Sequence, residues 1–298
     1  MTQFRAEMPP GLSFYNAGRA APGAPTAAMF LDRLYTRHRP EMVVVGIDPW
    51  WFHPSSAEAP PGNLDLSVSV SIANLVRYGF SSGFLAALKA APAPDPLGGR
   101  HPVGALARTE AAGFRPDGSY QYGDVLQDLR PEYHRLGFFH SRDFRYFRDQ
   151  LSSAGGRFPV APAPSATALN RLDSMIAQAH REGVGMILLF PPLPHALVEA
   201  IAADPRQSAW FAAITAATAD LARRHDVAFV DLTDLALLGI DDSATIDGIH
   251  ADEPANALVL ARLIRQVPGL AAITGIAAAD RLEQLVAEPG TGPHRLFR

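Results

Sequence analysis

The sequence contains no cysteine. That absence excludes structural disulfides, thiolate nucleophiles and cysteine-based zinc sites. It leaves the compartment open, because a chain without thiols is at home in oxidising and reducing spaces alike. Also missing is any apolar run near the ~20 residues that a membrane-spanning helix needs. The opening residues, MTQFRAEMPPG, lack the apolar middle region of a secretory signal. Basic charge is scarce too. The formal net charge is −4, which argues against a nucleic-acid binder working through a basic surface. No internal repeat is visible, and low-complexity sequence is confined to short Pro/Ala patches. As written, the chain reads as soluble, with its localisation otherwise unknown.

What is present is apolar material in quantity. Hydrophobic residues make up 48% of the 298, enough to bury a sizeable core in a single domain. LSFYNAG reads as a short strand ending at a glycine. TAAMFLDRLYTRH carries Met29, Phe30, Leu34 and Tyr35 at near-helical spacing. EMVVVGID is a β-branched run bounded by Pro40 and Pro49, and predicts a strand buried on both faces of a parallel sheet. Residues 53–160 are rich in Pro and Gly, with APAPDPLGGRHP and GFRPDGSYQYG as loop or turn signals. LSVSVSIANLVRYGF is ambiguous between strand and helix. RDFRYFRDQL puts Phe144, Phe147 and Leu151 on one helical face. This region reads as an insertion or cap over the core of one domain spanning 1–298.

After residue 160 the grammar becomes regular. TALNRLDSMIAQAHREG sets Leu169, Leu172, Ile176 and Ala179 on one face and ends at Gly183. VGMILLFPP is a buried strand, and a helix with Trp210, Phe211, Ile214 and Leu221 follows. DVAFVDLTD is another strand, then DGIH, then a closing helix. Strands alternating with helices imply an α/β fold with a mainly parallel sheet. Working residues then gather at the carboxyl ends of the strands. Asn16, Gly18, Asp48, Pro191 and Asp231 fall there, and Asp247 and His250 follow the last strand.

Asp247 and His250 have the chemistry of a catalytic couple. A histidine works as a general base only when its tautomer is held, and an aspartate accepting from one ring nitrogen holds it. Negative charge developing on a substrate then needs donors such as a glycine N–H or an Asn side chain. The ordered blocks NAG, VVVGID and DGIH resemble those of the SGNH (GDSL-like) hydrolase superfamily, most closely its DltD- and AlgX-like branch, which is linked to cell-envelope acyl transfer. The resemblance covers both ends of the chain, about half of it. It implies a three-layer α/β/α fold of flavodoxin-like order. It also implies ester hydrolysis or O-acyl transfer on a carbohydrate or lipid, with Asp247 and His250 as triad members and Gly18 as an oxyanion donor. Asn16, Asp48, Trp50 and Trp51 would line the pocket. The mechanism needs no metal or organic cofactor. The implied partner is a small-molecule or glycan ester, without nucleic acid.

Two departures stand out. Asp48 occupies the block where the family offers Asn, and an ionised carboxylate cannot donate. Either Asp48 has another part, or the oxyanion is held by backbone donors alone. The second departure is the serine. Ser13, Ser55, Ser119 and Ser141 all lie outside a G-x-S setting after a strand. In the resembling sequences, words much like QFRAEM follow directly on the serine block. The expectation is therefore that MTQFRAEMPPG continues a G-S-S-R block lying ahead of Met1. The central first strand would be missing with it, and the chain as written would be inactive.

Structural alternatives stand beside these readings. Asp247 can start a turn, Asp48 can cap the following turn, and Gly18 can serve a positive φ. His53 reads as a loop residue and His195 as a helix cap. A non-catalytic SGNH-like domain binding envelope glycan or a protein partner is the rival reading. A weaker rival is a metal-dependent phosphoesterase using Asp48, Asp231, Asp247 and His250.

Overall fold

The computed structural model describes residues 12–17, 23–57, 144–246 and 248–288, and the backbone of 112–114 and 120–122. Its centre is a three-stranded, all-parallel sheet of order β1-β4-β5. Strand β1 (Met42–Gly46) pairs with β4 (Gly185–Phe190) from Met42↔Gly185 to Gly46↔Leu189. Strand β5 (Ala228–Asp231) pairs on the other side of β4, from Ile187↔Ala228 to Phe190↔Asp231. The protein is thus α/β, with helical crossovers between its parallel strands.

The periodic sequence after residue 160 folds as its pattern predicts. Helix α4 (Ala166–Glu182) starts where the Ser165 hydroxyl accepts from the Ala168 N–H. It ends where Gly183 turns left-handed at φ 69°, a conformation that costs glycine little. Helix α6 (Pro205–Arg224) is capped by the Asp204 carboxylate. It follows the short α5 (His195–Ala203) and buries Trp210, Ile214 and Leu221. Strand β4 is buried along nearly its whole length. Met186, Leu188 and Phe190 join a core with α4, α6 and α1 (Ala24–Tyr35). The alternate residues Ile187 and Leu189 join another core with α7 (Glu253–Gln266), α8 (Pro268–Thr274) and α9 (Ile276–Ala287). Each such fully buried side chain contributes about 1.5–3 kcal/mol.

Two sequence expectations need correction. Residues 12–17, LSFYNA, carry no strand pairing. Strand β1 is not buried on both faces; Val45 alone of its five residues is buried. The reason is its place: among the described residues β1 has a neighbour on one side only.

In the middle of the chain, β2 (Ala112–Phe114) and β3 (Tyr120–Tyr122) form an antiparallel pair, joined by the RPDGS sequence read as a turn. The ambiguous LSVSVSIANLVRYGF lies outside the described residues, so the cap reading of 53–160 concerns mainly undescribed sequence. Its tail is described. Helix α3 (Arg145–Ser152) and the following turn pack Phe144, Phe147, Leu151 and Phe158 against Leu193, Leu197, Ile201 and Ile249. Phe147 and Leu151 share one face of α3, as their spacing predicts, whereas Phe144 joins the cluster from just outside the helix, at φ 56°. This third cluster ties the turn after α3 to the loop carrying His250. No single described helix is long and apolar enough to cross a membrane.

Candidate active site

The site assembles where β1 ends. The Ile47 N–H still donates to the Leu189 carbonyl at 2.8 Å, so the chain leaves the sheet at Asp48. Pro49 then opens a 3-10 turn, Pro49–Phe52, that buries Trp51 and Phe52 and leaves Trp50 half-buried. Asp48 stands at the capping position, yet its side chain makes no capping hydrogen bond. The capping role read from the sequence is therefore absent. Instead the carboxyl group is packed inward, and burial pushes its pKa up to about 6. The nearby His250 and Arg157 oppose that rise, as does the Trp51 indole. The indole N–H is itself buried without a well-formed hydrogen bond. It approaches Asp48 closely enough to act on the charge but not to be satisfied by it. Asp48 as a residue retains some exposed surface, so water still softens the effect.

The second contribution comes from the loop before α7. Thr245 and Ala251 form an antiparallel bridge, and the Ile246 N–H donates to the His250 carbonyl at 2.8 Å. Asp252, buried, accepts from the Ala255 N–H at 2.9 Å and fixes the start of α7. Gly248 sits at the tip with φ 85°. A Cβ there would lie 3.3 Å from the Phe144 ring. The glycine thus permits both the turn and the close approach of the aromatic cluster. His250 emerges exposed. Asp247 and Gly18 lie outside the described residues.

Arg157 supplies the third contribution. Its guanidinium lies over the Trp50 ring at 5.4 Å and the Phe147 ring at 6.0 Å. Its Nη1 is 3.3 Å from His250 Nε2. Arginine only donates, so this contact requires Nε2 to be the unprotonated nitrogen. The tautomer carrying hydrogen on Nδ1 is the one a general base uses in a Ser-His-Asp triad. The turn bearing Arg157 is built for placement. Gly156 takes φ 57°, and a Cβ there would collide with the Gln150 side chain. Gln150 Oε1 accepts from the Arg157 N–H at 2.9 Å. The fully buried Gln207 donates to both Leu151 O, at 3.1 Å, and Phe158 O, at 2.8 Å. One amide group thereby closes the turn at both ends.

The structure brings together Asp48, Trp50, Trp51 and His250, and adds Arg157, which the sequence reading missed. The local signal was only a Gly155-Gly156 turn; the partner, His250, is 93 residues away. Asn16 is half-buried in the extended stretch 12–17. Ser13 is exposed, and Ser55 makes a local bond to His53 Nδ1 at 2.7 Å, in the turn entering α2 (Pro54–Ala57). Ser119 and Ser141 lie outside the described residues. Asp231 binds Thr233, and Asp234 caps a 3-10 turn and holds His195. Those two carboxylates have structural work. Among the described residues no three His, Asp or Glu side chains gather as metal ligands.

Compared with known proteins, the sequence matches no family model and no curated protein.

Proposed function

We propose that the chain is an SGNH-like domain that hydrolyses or transfers an acyl ester of a carbohydrate or lipid. The observation that carries this reading is the meeting of Asp48 and His250, from opposite ends of the sequence, beyond the carboxyl edge of a parallel sheet. The apolar cores on the two sides of β4 support the finer fold, a three-layer α/β/α sandwich of flavodoxin-like order. In this mechanism His250 takes the proton from a serine hydroxyl as it attacks the ester carbonyl. It then returns that proton to the leaving alcohol. Asp247 orients the imidazole, and the Gly18 N–H donates to the oxyanion.

The exposed His250 needs only a positioned hydroxyl within about 3 Å of Nε2 to act. The test is to read the gene ahead of codon 1 and assay the polypeptide it encodes, first block included, on p-nitrophenyl acetate. Turnover that disappears in His250→Ala supports the proposal. Turnover indifferent to His250→Ala overturns it.

One observation favours the second reading, a non-catalytic domain that binds envelope glycan or a protein partner. Among the described residues a guanidinium faces His250 Nε2. An upstream frame without a G-[DS]-S sequence would decide for this alternative.

A further inference from the structure

Arg157 differs from the carboxylate-paired arginines of the described residues. Arg39 pairs with Glu182, Arg206 with Asp204, Arg224 with Asp220, and Arg265 with Asp280 and Glu283. Arg157 pairs with no carboxylate among the described residues; its polar partner is the imidazole of His250. Arg157 as a residue is half-buried, and its guanidinium carbon lies 5.4 Å from the Trp50 ring centroid and 6.0 Å from that of Phe147. A guanidinium presents its N–H donors as a planar fork. That fork matches the two oxygens of a carboxylate or phosphate. Removing the group from bulk water strengthens such a bond. Gln207, Gln150 and Gly156 hold the turn, so little entropy remains to be lost when a ligand arrives.

We infer that Arg157, stacked on Trp50 and Phe147 beside His250, is a binding site for an anionic ligand that presents a carboxylate or phosphate group. The site itself depends only on this geometry. That the anion belongs to the substrate, making the ester an acidic one, rests on the proposed function. His250 then lies next to the docked anion. Asp48, the remaining charged group of the cluster, sets an upper limit on affinity when ionised, since it repels the ligand through the same crevice.

The experiment uses the chain as it stands and reads binding rather than turnover. The imidazole of His250 and the indole of Trp50 are followed by NMR while sodium acetate, or separately inorganic phosphate, is added at constant ionic strength. Saturable shifts at both groups, with a dissociation constant on the order of millimolar, are expected. Arg157→Gln should weaken binding about tenfold or more, with Arg157→Lys intermediate because it keeps the charge and loses the fork. Arg223→Gln, on the exposed face of α6, should leave affinity unchanged. Tighter acetate points to a carboxylate source and tighter phosphate to a phosphoryl one. Absence of saturation with both anions, or equal affinity in wild type and the Arg157 variants, would overturn the inference. If Arg157→Gln fails to fold, Arg157→Lys decides. Binding by a protein whose turnover is indifferent to His250→Ala would refute the catalytic proposal while leaving the anion site intact.

Discussion

Two histidines follow strands of this sheet, and they meet different partners. His195 opens α5 after β4. Its Nδ1 is 2.9 Å from Asp234, its Nε2 is 3.6 Å from Glu199, and Asp242 accepts from its backbone N–H. The hydrogen bond and charge of Asp234 raise its pKa. His250 faces a guanidinium instead, through the nitrogen that must be unprotonated to accept. A histidine ringed by carboxylates is stabilised as the cation and serves structure. The comparison shows that neighbours, rather than location beyond a strand, decide what an imidazole can bind.

The sharpest way to break that contrast is kinetic. In the protein assayed on p-nitrophenyl acetate, His250→Ala should lower kcat/KM about 10³-fold or more. His195→Ala should change it by less than about threefold. Comparable losses in both would show that the distinction is empty.

Next in size is the acid beside His250. Because the folded pKa of Asp48 is raised to about 6, its protonated form is favoured in the native state. The associated stability is present below about pH 4 and is lost as pH rises through 6. Two pKa units correspond to about 2–3 kcal/mol. Asp48→Asn should therefore stabilise the protein by that amount at pH 7.5 and by almost nothing at pH 4. Urea unfolding at the two values measures it.

Gln207→Leu tests the scaffold behind Arg157. Two buried carbonyls, of Leu151 and Phe158, lose their donor, at a cost of about 2 kcal/mol. The unpartnered Gln207 Oε1 is removed at the same time, which offsets part of the loss. The variant should also weaken anion binding near His250, while the His195 environment stays as it was. The smallest effect concerns His195 itself. Asp234→Asn should lower its NMR titration midpoint. Its pairing with Asp234 contributes at low pH and fades as pH rises through the raised pKa.

Much of the fold was legible because local signals agreed with one another. Ser165 and Gly183 bracket α4, Asp204 starts α6, Asp252 starts α7, and the β4 run is apolar enough to be central. Strand β1 misled because VVVGI is equally β-branched whether it has one neighbour or two; pairing is not written in composition. At the site, His250 could be picked out from the spacing of DGIH and its place after the last strand. Asp48 was noticed, but its capping role failed because the following turn directs the carboxyl inward beside Trp51. Arg157 was invisible. Its function comes from stacking and a long-range contact, and no periodicity records either.

Among the described residues β1 pairs on one side only, and this also gives the molecule an internal clock. Parallel strands bind a given neighbour through alternate residues, so half of the β1 amides turn towards β4 and half turn away. In deuterated solvent, β4 should exchange slowly along its full length, whereas β1 should split into slow and fast positions in strict alternation. Any polypeptide that adds itself to that edge would merge the two sets, and the merger would be readable residue by residue as it happened.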